Sequence, residues 1–158
     1  MDPKELVRQY QSGARDFSQA RLVGADLRGA NLYGINLFEA DLLQADLRGI
    51  NLDGANLVEA NLVGANLDRA HLFKTDFSRA NLSGANLRRA NLSKANLTGA
   101  DLTRTYLVEA ILEEAFIFEA QLRETSLRRA SFRGAGLGGS TLTNANLQGA
   151  DLNGAGLS

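Results

Sequence analysis

From Phe17 to Leu157 a large apolar residue stands at every fifth position without a single insertion, giving 29 consecutive five-residue units. The centres are Leu except at Phe17, Phe77, Ile117 and Phe132. Two positions before each centre sits a small residue, nearly always Ala, with Ile35, Ile50, Thr75, Thr105, Thr125 and Ser140 as the main departures. The position just before the centre is Asn or Asp in 18 of the 29 units, and the two positions after it are mostly polar, charged or Gly.

A period of five fits neither regular element. A 3.6-residue turn would scatter the leucines around a helix, and a period of two would alternate them between the faces of a strand. The backbone must therefore turn once per unit. In a short extended piece residues two apart share a face, so each Ala and the Leu after it point inward together. Asn and Asp suit the corners through bonds to nearby backbone and tolerance of unusual φ, and the glycines add permissive torsions. Units that cannot bury a face alone must stack, so the pattern predicts a solenoid whose coils pair backbone groups at sheet spacing.

The motif A-(D/N)-L-X-X, running from Ala20-Arg21-Leu22 to Ala155-Gly156-Leu157, resembles the pentapeptide-repeat family over about nine-tenths of the chain. The resemblance implies an all-β solenoid: a right-handed quadrilateral β-helix of about seven four-sided coils, with Leu and Ala stacked in a solid interior. Arg28, Arg48, Arg88 and Arg128 recur at multiples of twenty, which four-sided coils would align along one face. At about 4.8 Å per coil the rod would be roughly 34 Å long.

The domain division follows, with a capping helix in residues 1–14 and the repeat in 15–158. Asp2 as N-cap, Pro3 at the first helical position, Glu5 placed for a capping box and Gly13 as a stop predict a short helix over residues 3–12. Leu6, Val7 and Tyr10 share one side and are expected to cover the first coil. The other end, Gly154-Ala155-Gly156-Leu157-Ser158, stops in mid-pattern, so a second copy of the chain or further residues are expected to cover it.

Charge narrows the partners. With 17 Lys+Arg against 18 Asp+Glu, no whole-molecule field draws the chain to nucleic acid or to an anionic membrane, and neither is expected as a partner. Without cysteine there is no disulfide, thiol chemistry or Cys-ligated metal. The N-terminus lacks the apolar core of a signal peptide, and a cytoplasmic location is expected.

The chemical motifs reduce to by-products of the repeat. Gly134-Ala135-Gly136-Leu137-Gly138-Gly139 spells G-x-G-x-x-G, but in register with the five-residue frame and without a strand-to-helix context. The sequons at Asn81, Asn91 and Asn96 come from the repeat as well. His71 stands at a corner position and lacks metal-ligating partners, and the Asp residues are corner residues of the same kind. A rod filled by Leu and Ala offers no water-excluding pocket, so neither enzymatic activity nor a cofactor is expected.

Two surface features remain. Arg69, Lys74, Arg79, Arg88, Arg89, Lys94 and Arg104 make residues 69–104 a basic band, followed to residue 124 by a stretch rich in Glu. Between Tyr106 and Thr141 the Asn/Asp rule lapses for eight consecutive units. There Tyr106, Ile111 and Phe116 replace the polar residue, and with Val108 and Phe118 they form a candidate partner contact. An earlier outward group comprises Tyr33, Phe38, Leu43, Val58, Val63 and Phe73. The expected function is a non-catalytic interaction or scaffold module offering flat β faces to a protein or to its own copy. The alternative implied by the resemblance is a DNA-mimicking inhibitor or protector of DNA gyrase or another topoisomerase, from which this chain departs in its neutral charge, its basic band and the absence of an inserted loop.

Overall fold

A computed structural model describes all residues 1–158. Its one helix, α1, spans Pro3–Gln11. Asp2 caps it by accepting from the Lys4 amide at 2.8 Å, Ser12 ends it, and Gly13 follows at φ +103°. Glu5 does not close the expected capping box; its carboxylate turns to Arg8 and Gln9 on the helix surface, where two side-chain donors outbid one backbone amide.

Every backbone bridge after the helix joins two residues twenty apart, from Asp16–Asn36 to Gly136–Gly156, all parallel. Twenty residues are four pentapeptides, so each coil has four sides and each residue lies directly below the one twenty later. We label the sides I to IV by their first central residues, Phe17, Leu22, Leu27 and Leu32.

The corner chemistry is uniform. The residue two after each centre has positive φ, whether Gly24 at +63° or Glu39 at +53°. The carbonyl of the centre accepts from the amide three residues on, as in Ala25 N–H to Leu22 O at 3.0 Å, except at Ile117, whose carbonyl accepts from the Ser140 hydroxyl. Positive φ at the third residue of such a turn is the type II signature. The left-handed position thus belongs mostly to Gly or to a long polar side chain, and once to Asn144, while the Asn/Asp that marks the units stands before the centre on the extended side.

Asn and Asp serve the corner through their side chains. At every Asn or Asp of this position except Asn31, Oδ1 accepts from the amide two residues on, as in Asn56 Oδ1 from Val58 N–H at 3.0 Å. With this bond each of the five backbone amides of such a unit has an acceptor. Three of them join neighbouring coils, as Leu22 to Asp41, Gly24 to Leu43 and Asp41 to Ala20 do. One closes the turn, and the fifth goes to the Asx oxygen. A second use of the same side chain is a ladder along the rod, as in Asn86 Nδ2 to Asn66 Oδ1 at 3.1 Å.

The interior is one continuous apolar column. The central residues and the small residues two before them are buried from Leu22 to Leu137, apart from the half-buried Ala30, and together with Leu6 they make a single cluster. Burying each Leu side chain contributes about 2 kcal/mol. Three threonines replace Ala inside, and their hydroxyls are satisfied without water: Thr75, Thr105 and Thr125 donate to the Leu52, Leu82 and Leu102 carbonyls of the preceding coil at 2.8 to 2.9 Å.

α1 lies over the first coil. Leu6 is fully buried, Val7 and Tyr10 pack on the column, and the Tyr10 hydroxyl donates to Tyr33 O at 2.7 Å. At the far end Leu152 and Leu157 are 36% and 62% exposed.

Candidate interaction surface on the outer walls

Because the column is filled, chemistry is confined to what projects from four sides and four edges. Each side presents one outward residue per coil, the one before the centre. Each edge presents two, the middle residues of the turn. These rows are read by adding twenty.

The candidate partner residues do not share a side. Tyr106 projects from side III, Ile111 from side IV and Phe116 from side I, and all three are exposed. Val108 stands on the III/IV edge and Phe118 on the I/II edge. The expected single patch is therefore a girdle around one coil, since five residues in sequence advance the chain by a quarter turn. Only Phe116 and Phe118 form a close ring pair, with centroids 6.4 Å apart. Phe118 also lies against glycine: a Cβ on Gly136, one coil above Phe116, would come within 2.8 Å of Phe118 Cε1. That contact accounts for one glycine of the G-x-G-x-x-G sequence, and the Ser158 backbone for another, since a Cβ on Gly138 would fall 2.6 Å from Ser158 O.

In these eight units the amide after the centre has lost its Asx acceptor. The Val108, Glu113, Phe118, Arg123, Arg128 and Arg133 amides bond to no other protein group, whereas Thr103 and Gln148 on either side keep theirs. The lapse of the Asn/Asp rule thus changes the backbone as well as the side chains of this region.

The basic band also comes apart in three dimensions. Arg79 projects from the I/II edge, Arg104 from II/III, Arg69, Arg88 and Arg89 from III/IV, and Lys74 and Lys94 from IV/I. Twenty residues on or back, three of them meet a carboxylate: Arg79 meets Glu59 at 2.7 Å, Lys94 meets Glu114 at 3.3 Å and Arg104 meets Glu124 at 2.9 Å. Arg89 and Arg69 share Asp68, and Lys74 lies over the Phe73 ring at 5.3 Å. Basic and acidic stretches that adjoin in sequence are therefore stacked one coil apart and largely cancel. The guanidinium of Arg104 lowers the Glu124 carboxyl below its ordinary value.

The arginines at multiples of twenty do form one row, on the III/IV edge. Arg28 holds Asp26 by two hydrogen bonds of 2.7 and 2.8 Å and lowers its carboxyl to about 2. Arg48 does the same to Asp46, whose carboxyl is also lowered. Arg88 and Arg128 have no carboxylate within 4.0 Å. Sequence reading finds this row but misses what lies across from it. Counting both residues at each turn, the III/IV edge holds seven arginines, Arg28, Arg48, Arg69, Arg88, Arg89, Arg128 and Arg129, against Asp68 and Glu109. The diagonally opposite I/II edge holds Glu39, Glu59 and Glu119 against Arg79 alone, and the flanking sides add Asp16 and Asp76 beside it and Asp26 and Asp46 beside the arginine edge. The signal was present in the sequence only modulo twenty.

His71 is an exposed member of the side IV column, between Asn51 and Asn91. Two shallow depressions mark the surface. One, of about 370 Å³, lies between α1 and Asp26–Ala30, and the other is bordered by Glu113, Glu114, Arg133, Gly134 and Asn153. No helix is long and apolar enough to cross a membrane.

A twenty-residue coil built from A-(D/N)-L-X-X corners is matched by the family model for pentapeptide repeats, a block of eight copies, at residues 16–54, 35–72, 50–89, 75–114 and 119–158. The chain belongs to the pentapeptide-repeat family. Members form right-handed quadrilateral β-helices and are in general non-catalytic structural or interaction modules. Among solved structures, the pentapeptide-repeat protein HetL of the cyanobacterium Nostoc sp. strain PCC 7120, involved in heterocyst differentiation regulation, is 29% identical, with 98% of this chain and 96% of that chain covered and a TM-score of 0.52. Full-length QnrB1, a plasmid-mediated fluoroquinolone resistance protein, matches 91% of this chain and 89% of its own at 17% identity and a TM-score of 0.61, which shows a common fold. No curated protein sequence matches the chain.

Proposed function

We propose that this pentapeptide-repeat protein is a non-catalytic scaffold that works through its outer walls, with residues 1–14 as a cap and 15–158 as the interaction module. The observation that carries this reading is the filled column. The side chains that would have to line a pocket are packed on one another, and the groups left for recognition are the rows of the sides and edges. Membership of a family of interaction modules supports it, as does the likeness to HetL, a protein involved in heterocyst differentiation regulation.

Within this reading, the girdle of Tyr106, Val108, Ile111, Phe116 and Phe118 is the contact for a protein partner. Its exposed aromatic and aliphatic surface coincides with the coil whose amides lack Asx acceptors, so a partner can meet both apolar side chains and backbone donors there. The seven residues of the basic band contribute chiefly to the rod itself, since most are paired between coils.

The test places a photo-crosslinking residue at Tyr106, Ile111, Phe116 and, as controls, at Asn51, Asn61 and Gln148, in the source cells. Crosslinks to one protein confined to the girdle positions support the reading, and labelling no denser there than at the controls removes the contact. The topoisomerase alternative gains nothing from a net charge of −1. Unaltered gyrase supercoiling at high excess of the protein would remove it.

A further inference from the structure

We propose that the I/II and III/IV edges are complementary docking surfaces, so that a second copy of this chain lies alongside the first with its acidic edge against the arginine edge. The inference rests on the outer walls being the working surface, and it names the partner.

On the arginine edge most guanidiniums are already held: Arg28 and Arg48 by Asp26 and Asp46, Arg69 and Arg89 by Asp68, Arg129 by Glu109. Arg88 and Arg128 are not, and both are exposed. On the acidic side the imbalance is larger. Asp16, Glu39, Asp76 and Glu119 have no cation within 4.0 Å, and the one arginine of that edge, Arg79, is occupied by Glu59. Glu39 and Asp76 instead accept neutral hydrogen bonds from Gln19 and Ser78.

The two edges lie on a diagonal of the same square coil, ten residues apart in a twenty-residue turn. A rod with opposite charge along opposite edges is complementary to itself. Two free arginines and a few net charges are a poor match for a polyanion, whose affinity grows with the number of phosphates neutralised. They match an edge with a comparable excess of carboxylates. Apolar groups line both partners, with Phe38, Val58 and Phe118 on the acidic edge and Val108 on the arginine edge. Because the contact joins two different surfaces, each added copy leaves one edge of each kind free, and association is open-ended. An end-on contact at the exposed Leu152 and Leu157 would instead be apolar and insensitive to salt.

The test uses the full chain in sedimentation velocity at about 20 mM and about 500 mM NaCl, where screening lengths differ about fivefold. The expected result is a mass that rises with concentration at low salt and falls to a constant value at high salt. Two double variants decide the surface: Arg88→Glu with Arg128→Glu, and Glu39→Lys with Glu119→Lys. All four positions are exposed, so circular dichroism should remain that of the parent. Each variant alone should lose the salt-dependent association, and an equimolar mixture of the two should regain it. Constant mass of the parent at low salt, association untouched by either variant, or a mixture that stays dissociated each overturns the proposal. Binding of a fluorescent DNA duplex that depends on Arg88 and Arg128, without self-association, overturns it in favour of a polyanion. A parent that does not self-associate yet still crosslinks to one protein through the girdle would overturn this proposal and leave the scaffold reading standing.

Discussion

The ring of Phe118 lies against Gly136 of the next coil, so closely that a β-carbon on Gly136 would fall within 2.8 Å of Cε1. Gly136 does not have positive φ, so its lack of a side chain serves the ring above all. Gly136→Ala is expected to turn the 40% exposed Phe118 out of this seat and destabilise the protein by about 0.5 to 1.5 kcal/mol, the ordinary cost of forcing a side chain off its preferred rotamer. In the Phe118→Ala background the same change should cost less than half as much. Urea unfolding of the four variants measures the coupling, and additive effects would contradict it.

Leu87 is fully buried in the middle of the column. Leu87→Asp places a carboxylate among Leu and Ala with no partner, a loss of several kcal/mol. The expected outcome is loss of the folded circular dichroism spectrum, with Arg88→Asp, one residue on and exposed, folding normally.

Ser126 is one of the positions where the Asx acceptor is missing, and the Arg128 amide that would use it is unpaired. Ser126→Asn should restore the bond and raise stability by about 0.5 to 1 kcal/mol. Slowed hydrogen exchange of the Arg128 amide is the direct readout, and unchanged exchange would show that the corner is not rebuilt.

Gly49 has φ of +63° with open space where a β-carbon would be. Gly49→Ala should therefore cost about 1 kcal/mol through backbone strain alone. The reverse change at Arg69, in the same row at φ +58°, relieves strain but frees the unfolded chain, so Arg69→Gly should shift stability by well under 1 kcal/mol in either direction. Thermal unfolding of both variants checks the pair.

Asp26 is held below its ordinary value of 3.8, at about 2, by the hydrogen bonds from Arg28. A carboxyl depressed in the folded state contributes stability that is present above its unfolded value and lost as pH falls through its folded one. The contribution of Asp26 should therefore fade between about pH 4 and about pH 2. Its carbon-detected NMR titration should have a midpoint near 2 in the parent, and Arg28→Ala should return it toward 3.8. A midpoint that does not move would place the cause elsewhere.

Much of this molecule was legible in single residues. The leucines at intervals of five required an interior column, the alanines two before them shared it, and Asp2, Pro3 and Gly13 marked the cap. Glu5 did not close its box, because Arg8 and Gln9 compete for the same carboxylate from within the helix. The partner residues and the basic band lie on the outer walls, with Val108 half-buried, yet they do not group as their order in the sequence suggests. Tyr106, Ile111 and Phe116 adjoin in sequence and part in space, whereas Arg79 and Glu59 stand far apart in sequence and touch.

The sequence by itself determined what is inside and what is outside, since a five-residue period forces one turn per unit and burial follows from side-chain chemistry alone. Only the tertiary structure decided which outward residues are neighbours. The coil closes after twenty residues, so the relevant distance on the surface is the offset from a multiple of twenty, and the charge on opposite edges emerges once that closure superimposes the rows.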